Sequence, residues 1–359
     1  MDLQHRLVRQ AIDIAVGKAL DDAKGNIKRS LRNLVDLGLL FSKNDAHRRL
    51  FLSARKAIAN PKNTYIPIVK RIISEVDYDT FKKVGVNLGY NSWIYGVSKL
   101  IKKQQESGER LPWLLLFDLT ESSPAFYDWL KRLFTESRGM GIFTFICRLH
   151  QQEDIVALCE MANCFDECVF IVKTPAALIS EQTASIFGQT HNLIISVQAV
   201  DHHFSSASDI NAFQLLKRNR CLYGYHLYYS EKNMNRVTSS DCVRTAIGFG
   251  NLFGVYIARD GVSKQCRDTV YDFIYRERDE NGELLITLEW FRDIQYISDK
   301  ITHGLDYMTV DLVKRAYFET RCRESLPHSL LEILYEMYLC TSSGLWIVLQ
   351  SWNPDINYG

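Results

Sequence analysis

Residues 111–119 read LPWLLLFDL, an apolar run that is interrupted only by one proline and one aspartate. Residues 167–173, ECVFIVK, have the same character over a similar length. Strands that are covered on both faces have such runs, whereas half-exposed strands alternate apolar and polar residues. The two stretches therefore predict parallel strands in the interior of an α/β protein.

Runs of this kind recur at spacings of 25 to 32 residues. They begin near Val84, Trp113, Ile142, Cys168, Leu193, Cys221, Leu252 and Leu284. The residues between them have helical periodicity, and one strand, one helix and two short loops need about this length. Eight parallel strands favour closure, and no Gly-rich dinucleotide fingerprint follows the first of them. The pattern predicts a (β/α) barrel, full or partial and TIM-like, with an open doubly wound sheet as the alternative.

Helical segments flank the predicted barrel on both sides. Residues 1–80 have apolar positions near a 3.6-residue period and are predicted as an N-terminal helical extension, with a break at Gly25-Asn26. The barrel is expected over residues 81–300. Residues 301–359 are predicted as a C-terminal helical extension, because helical spacing returns near residue 305.

Two predicted strands are followed by signals for the start of a helix. Ser123-Pro124 and Thr174-Pro175 each place a hydroxyl residue before a proline. The hydroxyl can cap a helix, and proline fits the first helical position, where no amide hydrogen is needed. We expect helices to begin at Pro124 and Pro175.

The composition excludes several classes of protein. Of the 359 residues, 47% are hydrophobic and 24% are charged, which excludes disordered and collagen-like chains. No apolar run approaches the roughly 20 residues that span a bilayer, and residues 1–18 carry charges throughout, unlike a secretory signal. The nine cysteines are scattered without the spacing of a disulfide framework. We expect a cytoplasmic protein with reduced thiols.

Charge is distributed unevenly along the chain. Residues 1–110 contain 21 Lys+Arg against 11 Asp+Glu, and the remainder contains 22 against 31. The basic residues lie at helical spacing among apolar ones, which is typical of a solvated helix face. Attraction between these helices and an acidic body is one interpretation. A nucleic-acid or protein interaction module is another, and it ranks third among the functions that we consider.

Ligands of a (β/α) barrel bind at the carboxyl ends of the strands, where this chain places polar residues. The predicted strand ends include Arg148, His226, Tyr228 and Glu289, together with the site residues named below. Converging carboxylates, imidazoles and a lysine can perform acid–base chemistry. We predict catalytic roles for Asp118, His150, Lys173, Asp201, His202 and Asp260. We predict cofactor- or ligand-binding roles for Asn87, Tyr90, Asn91, Gln198 and Arg259.

Two short motifs raise the question of a metal. Residues 201–203 read DHH, and adjacent histidines on an extended segment point apart, so one of them is expected to face the barrel mouth. A metal would also need Asp118, His150 or His226. The second motif is C-x4-C-x3-C, formed by Cys159, Cys164 and Cys168. It lies at the amino end of a predicted strand, which is the wrong end of a barrel for catalysis. We interpret these cysteines as packing residues and predict no metal ligands.

Three segments carry a resemblance to a known family. Residues 85–96, GVNLGYNSWIYG, with residues 111–118 and with 219–224, NRCLYG, resemble a group of bacterial proteins classed with the radical S-adenosylmethionine (SAM) enzymes. The similarity covers most of residues 30–300. The resemblance implies a full or partial (β/α) barrel with S-adenosylmethionine as a cofactor. The residues themselves identify no cofactor.

The chain departs from that family at the sites of its chemistry. Radical SAM enzymes bind a [4Fe-4S] cluster through C-x3-C-x2-C after the first strand, but residues 90–96 contain no cysteine. A Gly-Gly-Glu segment on the second strand is replaced by FDL at residues 117–119. We therefore expect a barrel without the cluster that binds a small molecule, a peptide or a partner protein. The alternative is a barrel enzyme that uses Asp and His at the strand ends in acid–base or metal-assisted chemistry.

Overall fold

The computed structural model describes residues 3–42, 45–60, 65–108, 111–119, 124–280, 284–302, 304–305, 307–311 and 316–319. Its α-helices are α1 Leu3–Leu40, α2 Asp45–Ala59, α3 Tyr65–Glu75, α4 Tyr78–Val86, α5 Val97–Ser107, α6 Pro124–Met140, α7 Gln152–Cys164, α8 Glu181–Gln189, α9 Ala207–Arg218, α10 Met234–Val237, α11 Ser240–Gly248, α12 Lys264–Tyr275 and α13 Trp290–Lys300. Its strands are β1 Leu114–Asp118, β2 Thr144–Arg148, β3 Val169–Pro175, β4 Leu193–Gln198, β5 Tyr223–Tyr229, β6 Phe253–Ala258, β7 Ile286–Glu289, β8 Tyr307–Asp311 and β9 Ala316–Glu319. A π-helix, Asn87–Gly96, joins α4 to α5.

These strands form one sheet in the order β7-β6-β5-β4-β3-β2-β1-β8-β9. Strands β1 to β7 are parallel and lie in the order of the chain. A doubly wound sheet would reverse its strand order partway, so the barrel prediction is confirmed over the alternative. Within the described residues the sheet ends at β7 and β9 and does not close, so the chain forms a half-barrel.

The prediction of a strand beginning near Val84 was wrong. Residues 78–96 are helical, first as α4 and then as the π-helix. Val86, Tyr90 and Ile94 are buried at a spacing of four residues, which is the repeat of a helix and not of a strand. The seven later predicted strands correspond to β1 to β7.

A different strand takes the predicted first position. β8 pairs in parallel with β1, and β9 pairs antiparallel with β8. The prediction of a helical extension over residues 301–359 was therefore wrong for Tyr307–Asp311 and Ala316–Glu319. Residues 320–359, the rest of the predicted C-terminal extension, lie outside the described residues.

Helix starts and breaks follow the sequence signals in part. Helix α6 begins at Pro124, as predicted, and α1 is kinked at Asn26, where φ is −148° and ψ is 89°. At Pro175 the chain forms only a short 3-10 helix, Ala176–Leu178, and the α-helix begins at Glu181. Ser180 caps that helix because its side chain accepts a hydrogen bond from the Thr183 amide.

The outer face of the sheet is covered by helices. Phe117, Phe145 and Phe170 pack against Phe134 of α6, with ring-centroid distances of 5.7, 4.5 and 5.3 Å. All four rings are completely buried. The residues that alternate with them point to the inner face and are partly exposed in most strands.

The inner face is concave. In a flat sheet β3 and β7 would lie about 19 Å apart, since neighbouring strands are about 4.8 Å apart. Yet the Lys173 ammonium on β3 lies 5.8 Å from the ring centre of Trp290, the residue that follows β7. The Trp290 ring also contacts Tyr307 of β8 with a centroid distance of 6.1 Å. Helix α13 therefore spans the gap between the two ends of the half-barrel.

The N-terminal helices close the amino end of the half-barrel. Ile68, Ile72 and Val84 form an apolar cluster against which Ile194 of β4 and Phe253 of β6 pack. Basic side chains reinforce this contact, as the charge distribution suggested. Arg9 forms an ion pair with Asp166 at 3.4 Å. Arg71 donates hydrogen bonds to the carbonyl oxygens of Asn251 and Leu284, each at 2.8 Å. Within the part of the chain that was placed, no helix has the length and apolar character that a membrane span requires.

Candidate functional site

Strand register brings three charged residues together at the carboxyl edge of the inner face. Asp118 of β1 lies opposite Arg148 of β2, and Arg148 lies opposite Lys173 of β3. Next along the sheet come Ser196 and Gly224, which present small groups. We call the surface that these strands and the residues just after them enclose the inner cleft. Its members are Leu116, Asp118, Arg148, Ile171, Lys173, Ser196, Gln198, His226, Tyr228, Ile257, Arg259 and Trp290.

Asp118 is held by two donors. The Arg148 guanidinium donates to one carboxylate oxygen at 3.3 Å, and the His150 Nε2 contacts the other. The side chains of Asp118 and His150 are 28% and 37% exposed, so this pair lies at the rim. The negative charge of Asp118 is therefore already matched by Arg148.

Lys173 lies deeper, between two aromatic rings. Its Nζ is 5.8 Å from the ring centres of both Tyr228 and Trp290. Burial, together with the positive charge of Arg148, lowers the pKa of Lys173 to about 8, although Asp118 acts in the opposite direction. Among the described residues, no carboxylate lies within 4.0 Å of this ammonium group. Lys173 is thus a poorly hydrated cation that has no ion-pair partner among the described residues.

His226 of β5 is buried beside this lysine. Its Nδ1 forms a 3.0 Å hydrogen bond with the Ser196 hydroxyl, and the residue is 2% exposed. Burial, and then the charges of Lys173 and Arg148, hold the pKa of His226 well below its ordinary value. The imidazole is therefore neutral in the folded protein at pH 7.

We expect the neutral His226 to make the protein less stable in acid. The unfolded chain takes up a proton near pH 6.5 and the folded chain does not, so the free energy of unfolding falls as the pH drops below 6.5. Between pH 7.5 and 5.5 the wild type should lose about 1.4 kcal/mol more than His226→Gln, which has no imidazole. Urea unfolding at the two pH values measures this difference. Equal losses would show that the folded imidazole is protonated.

Arg259 follows β6 and reaches the same cleft. Its guanidinium carbon lies 5.6 Å from the ring centre of Tyr228, the ring that also contacts Lys173. No described carboxylate forms an ion pair with it. The neighbouring Asp260 is exposed and makes no hydrogen bond with the residues that the structure places. Of these two predicted site residues, Arg259 faces the cluster and Asp260 has no contact with it.

The Asp201-His202-His203 segment is a turn, so the expectation that its histidines point apart was wrong. The two imidazole rings lie 3.9 Å apart. Asp201 accepts hydrogen bonds from the amide of His203 at 2.7 Å and from the Ser205 hydroxyl at 2.9 Å. Burial and the neighbouring His203 lower the pKa of His202. The Asp201 carboxylate thus stabilises its own loop.

Asn87, Tyr90 and Asn91 lie at the opposite end of the sheet from the inner cleft, so their predicted position at the barrel mouth was wrong. Asn87 donates to the carbonyl oxygens of Asp166 and Cys168 at 2.7 and 3.0 Å, next to the amino end of β3. Asn91 donates to Asn87 at 2.9 Å and to the Glu167 carbonyl at 2.9 Å. Both asparagines fasten the π-helix to the sheet. Their i, i+4 spacing was the sequence signal for this role.

Besides the apolar Leu116, Ile171 and Ile257, the sequence analysis did not identify Trp290 and Ser196 as residues of the inner cleft. Trp290 follows Glu289 directly, and Ser196 lies within β4 two residues before Gln198. Glu289 itself does not face the cleft, because it caps α13 and accepts a hydrogen bond from Tyr229 at 2.9 Å. The alternation of side chains along a strand would have assigned Trp290 to the inner face once the register was known.

Seven of the nine cysteines lie in the described residues, and all seven are free thiols. Of the three cysteines predicted to pack, Cys159 and Cys168 are buried, and burial raises the pKa of each thiol. Cys164 is exposed, so the packing prediction was wrong for that residue. Among the described residues, the group with the spacing of metal ligands is Asp77, Asp79 and His191. Two of these residues have structural contacts, because Asp77 caps α4 and His191 bonds to Thr80 at 3.0 Å.

A separate apolar cavity lies among the N-terminal helices. It has a volume of about 210 Å³ and lies between α1, α2, α4 and the π-helix. Val86, Gly89, Tyr90 and Ile94 are among its lining residues, and no charged side chain is. Tyr90, which was predicted to bind a ligand at the barrel mouth, thus borders this cavity instead.

No family model and no curated protein matches the sequence. Solved structures of SuiB from Streptococcus suis have a similar fold. The structure of SuiB bound to the precursor peptide SuiA has a TM-score of 0.48 at 8% identity and covers 72% of each chain. SuiB bound to S-adenosylmethionine has a TM-score of 0.48 at 10% identity and covers 85% of this chain and 80% of SuiB. At such identities the likeness concerns the fold alone.

Proposed function

We propose that this chain binds a small molecule or a peptide terminus through a carboxylate group in the inner cleft. One observation carries the proposal. The charged groups of Lys173 and Arg259 both lie over the ring of Tyr228 in the cleft. Neither has a carboxylate partner among the described residues. A third cation, Arg148, is matched by Asp118. The surplus positive charge is therefore available to a ligand.

The surroundings favour a small organic anion over an inorganic ion. Tyr228 and Trp290 offer flat apolar faces beside the two cations, and the half-exposed Leu116, Ile171 and Ile257 line the cleft below. A guanidinium matches the geometry of a carboxylate with two parallel hydrogen bonds. Sites of this kind bury the apolar part of a ligand and orient it with a few polar groups.

The test uses the full chain and three acids of increasing size. L-lactate, a short peptide with a free carboxyl terminus, and S-adenosylmethionine each carry a carboxylate, and the amide of each compound is its neutral counterpart. We expect at least one acid to raise the melting temperature, and its amide not to. Binding to the folded state stabilises a protein in proportion to the logarithm of ligand concentration.

The variant Arg259→Ala sharpens the test. A hydrogen bond between charged groups contributes about 1.5–3 kcal/mol, so its loss should weaken binding by about tenfold or more. Arg218→Ala is the matched control, since Arg218 is exposed on α9 and pairs with Glu181 at 2.8 Å. The proposal is wrong if acids and amides bind alike, or if the two variants weaken binding equally.

A further inference from the structure

We propose that Lys173 is a nucleophile that forms an imine with the carbonyl group of an oxo acid bound in the inner cleft. This inference rests on the proposed function for the carboxylate of the ligand, because Arg259 would hold that group. The reactive amine itself is inferred independently from the surroundings of Lys173. A 2-oxo acid has both groups, because its ketone carbonyl is directly next to its carboxylate.

The geometry first shows that the amine is accessible but poorly hydrated. Lys173 is partly exposed on the inner face, and its Nζ lies over two aromatic rings, each with its centre 5.8 Å away. Apolar surroundings disfavour the ammonium form, because the charge loses water that the rings replace only in part. A lysine in such a pocket, or next to another cation, is an activated nucleophile.

The charges around Lys173 act in the same direction. The described titratable and charged groups that face it are Asp118 from β1, Arg148 from β2, His150 from the loop after β2, His226 and Tyr228 from β5, and Arg259 from the loop after β6. Asp118 is engaged by Arg148 and His150, so it does not form an ion pair with the ammonium. His226 is neutral. The net surroundings are positive, which favours the free amine.

These effects make the amine available near neutral pH. The pKa of Lys173 is lowered to about 8, so about half of the side chains carry a free amine at pH 8. An ordinary lysine with a pKa near 10.4 has only about 0.4% free amine at that pH. The gain in reactive form is about 100-fold, although a less basic amine is also a weaker nucleophile.

The reaction needs no further reagent. The Lys173 nitrogen attacks the carbonyl carbon, a C–N bond forms, and the carbonyl oxygen gains a proton to give a carbinolamine. The carbinolamine then loses its hydroxyl group and the one hydrogen left on nitrogen as a molecule of water, which leaves a C=N bond. Arg259 would bind the carboxylate and so fix the carbonyl carbon next to the amine.

The experiment traps the imine with sodium cyanoborohydride, which delivers hydride to the imine carbon while water supplies the proton. The full chain is incubated with pyruvate from pH 6 to 9.5 and digested with trypsin. Residues 149–217 contain Lys173 as their single internal lysine, so an adduct at this position leaves one long uncut peptide. We expect labelling of Lys173 at least tenfold faster than that of other lysines at pH 8, with a midpoint near pH 8. Lys173→Arg should lack the adduct.

Two further probes separate this inference from the proposed function. Acetone has the carbonyl without the carboxylate, and L-lactate has the carboxylate without the ketone. If acetone labels Lys173 as fast as pyruvate does and Arg259→Ala has no effect, the imine stands and carboxylate binding is wrong. If pyruvate and lactate both bind in an Arg259-dependent way and no adduct forms, carboxylate binding stands and the imine is wrong. Labelling without preference for Lys173 also overturns the inference.

Discussion

Replacing Gly96 with Ala should destabilise the protein by about 3 kcal/mol, because two backbone segments leave no room for a methyl group. A Cβ at position 96 would lie 2.3 Å from the carbonyl oxygen of Gly141 and 2.9 Å from that of Asn91. The ring of Phe143 would lie 3.0 Å away. Since Gly141 leads into β2, the π-helix or the start of that strand must move. Urea unfolding, followed by circular dichroism, measures the loss.

Gly89→Ala is the matched control in the same π-helix. A Cβ at position 89 meets no atom within 4 Å, and the residue is helical with no positive φ. Alanine loses less backbone entropy on folding than glycine, so this variant should be more stable by roughly 0.5–1 kcal/mol. If Gly96→Ala is as stable as the wild type, the π-helix does not pack against residues 141–143.

Replacing Lys173 with Met should stabilise the protein at pH 7 by about 3 kcal/mol. One pKa unit corresponds to about 1.4 kcal/mol, and the pKa of this lysine is lowered from 10.5 to about 8. At pH 7 both the folded and the unfolded wild type are protonated, so the folded state carries the full cost of the buried charge. Methionine removes the charge and keeps an apolar contact with Tyr228 and Trp290.

The pH dependence of that gain identifies its cause. The folded lysine loses its proton near pH 8 and the unfolded one near 10.5, so the cost is present below pH 8 and disappears as the pH rises to 10.5. At pH 10 the advantage of Lys173→Met should have fallen to about 1 kcal/mol or less. Lys103→Met, at an exposed position on α5, should change little at either pH. A gain that is equal at pH 7 and pH 10 would assign the effect to packing.

A stabilising substitution at Lys173 would also bear on function. Proteins retain costly buried charges where a ligand or a reaction uses them, and such sites lose activity when they are stabilised. Lys173→Met should therefore combine higher stability with loss of the pyruvate adduct. The two effects together would distinguish a functional lysine from one that is only tolerated.

Much of the barrel could be predicted from local pattern. Apolar runs such as residues 111–119 become strands because covered strands need apolar residues on both faces, and their spacing leaves room for one helix each. The start of α6 at Pro124 and the kink at Asn26 follow from local backbone chemistry. The strand prediction for residues 84–96 failed because a short apolar run fits a strand as well as a helix. The four-residue repeat of the apolar positions was the signal that indicated a helix.

The candidate site could be predicted only in part. Asp118, His150, Lys173 and Arg259 were identified because they follow apolar runs, and they do gather at one edge of the sheet. Their grouping depends on strand register and on the curvature of the sheet, which brings Trp290 to Lys173 across the three strands between β3 and β7. The pairing of β8 with β1 also joins segments about 190 residues apart. Local propensity determines which residues form strands, whereas partners across a sheet are selected by the packing of the whole chain, because no local pattern encodes a contact between distant segments.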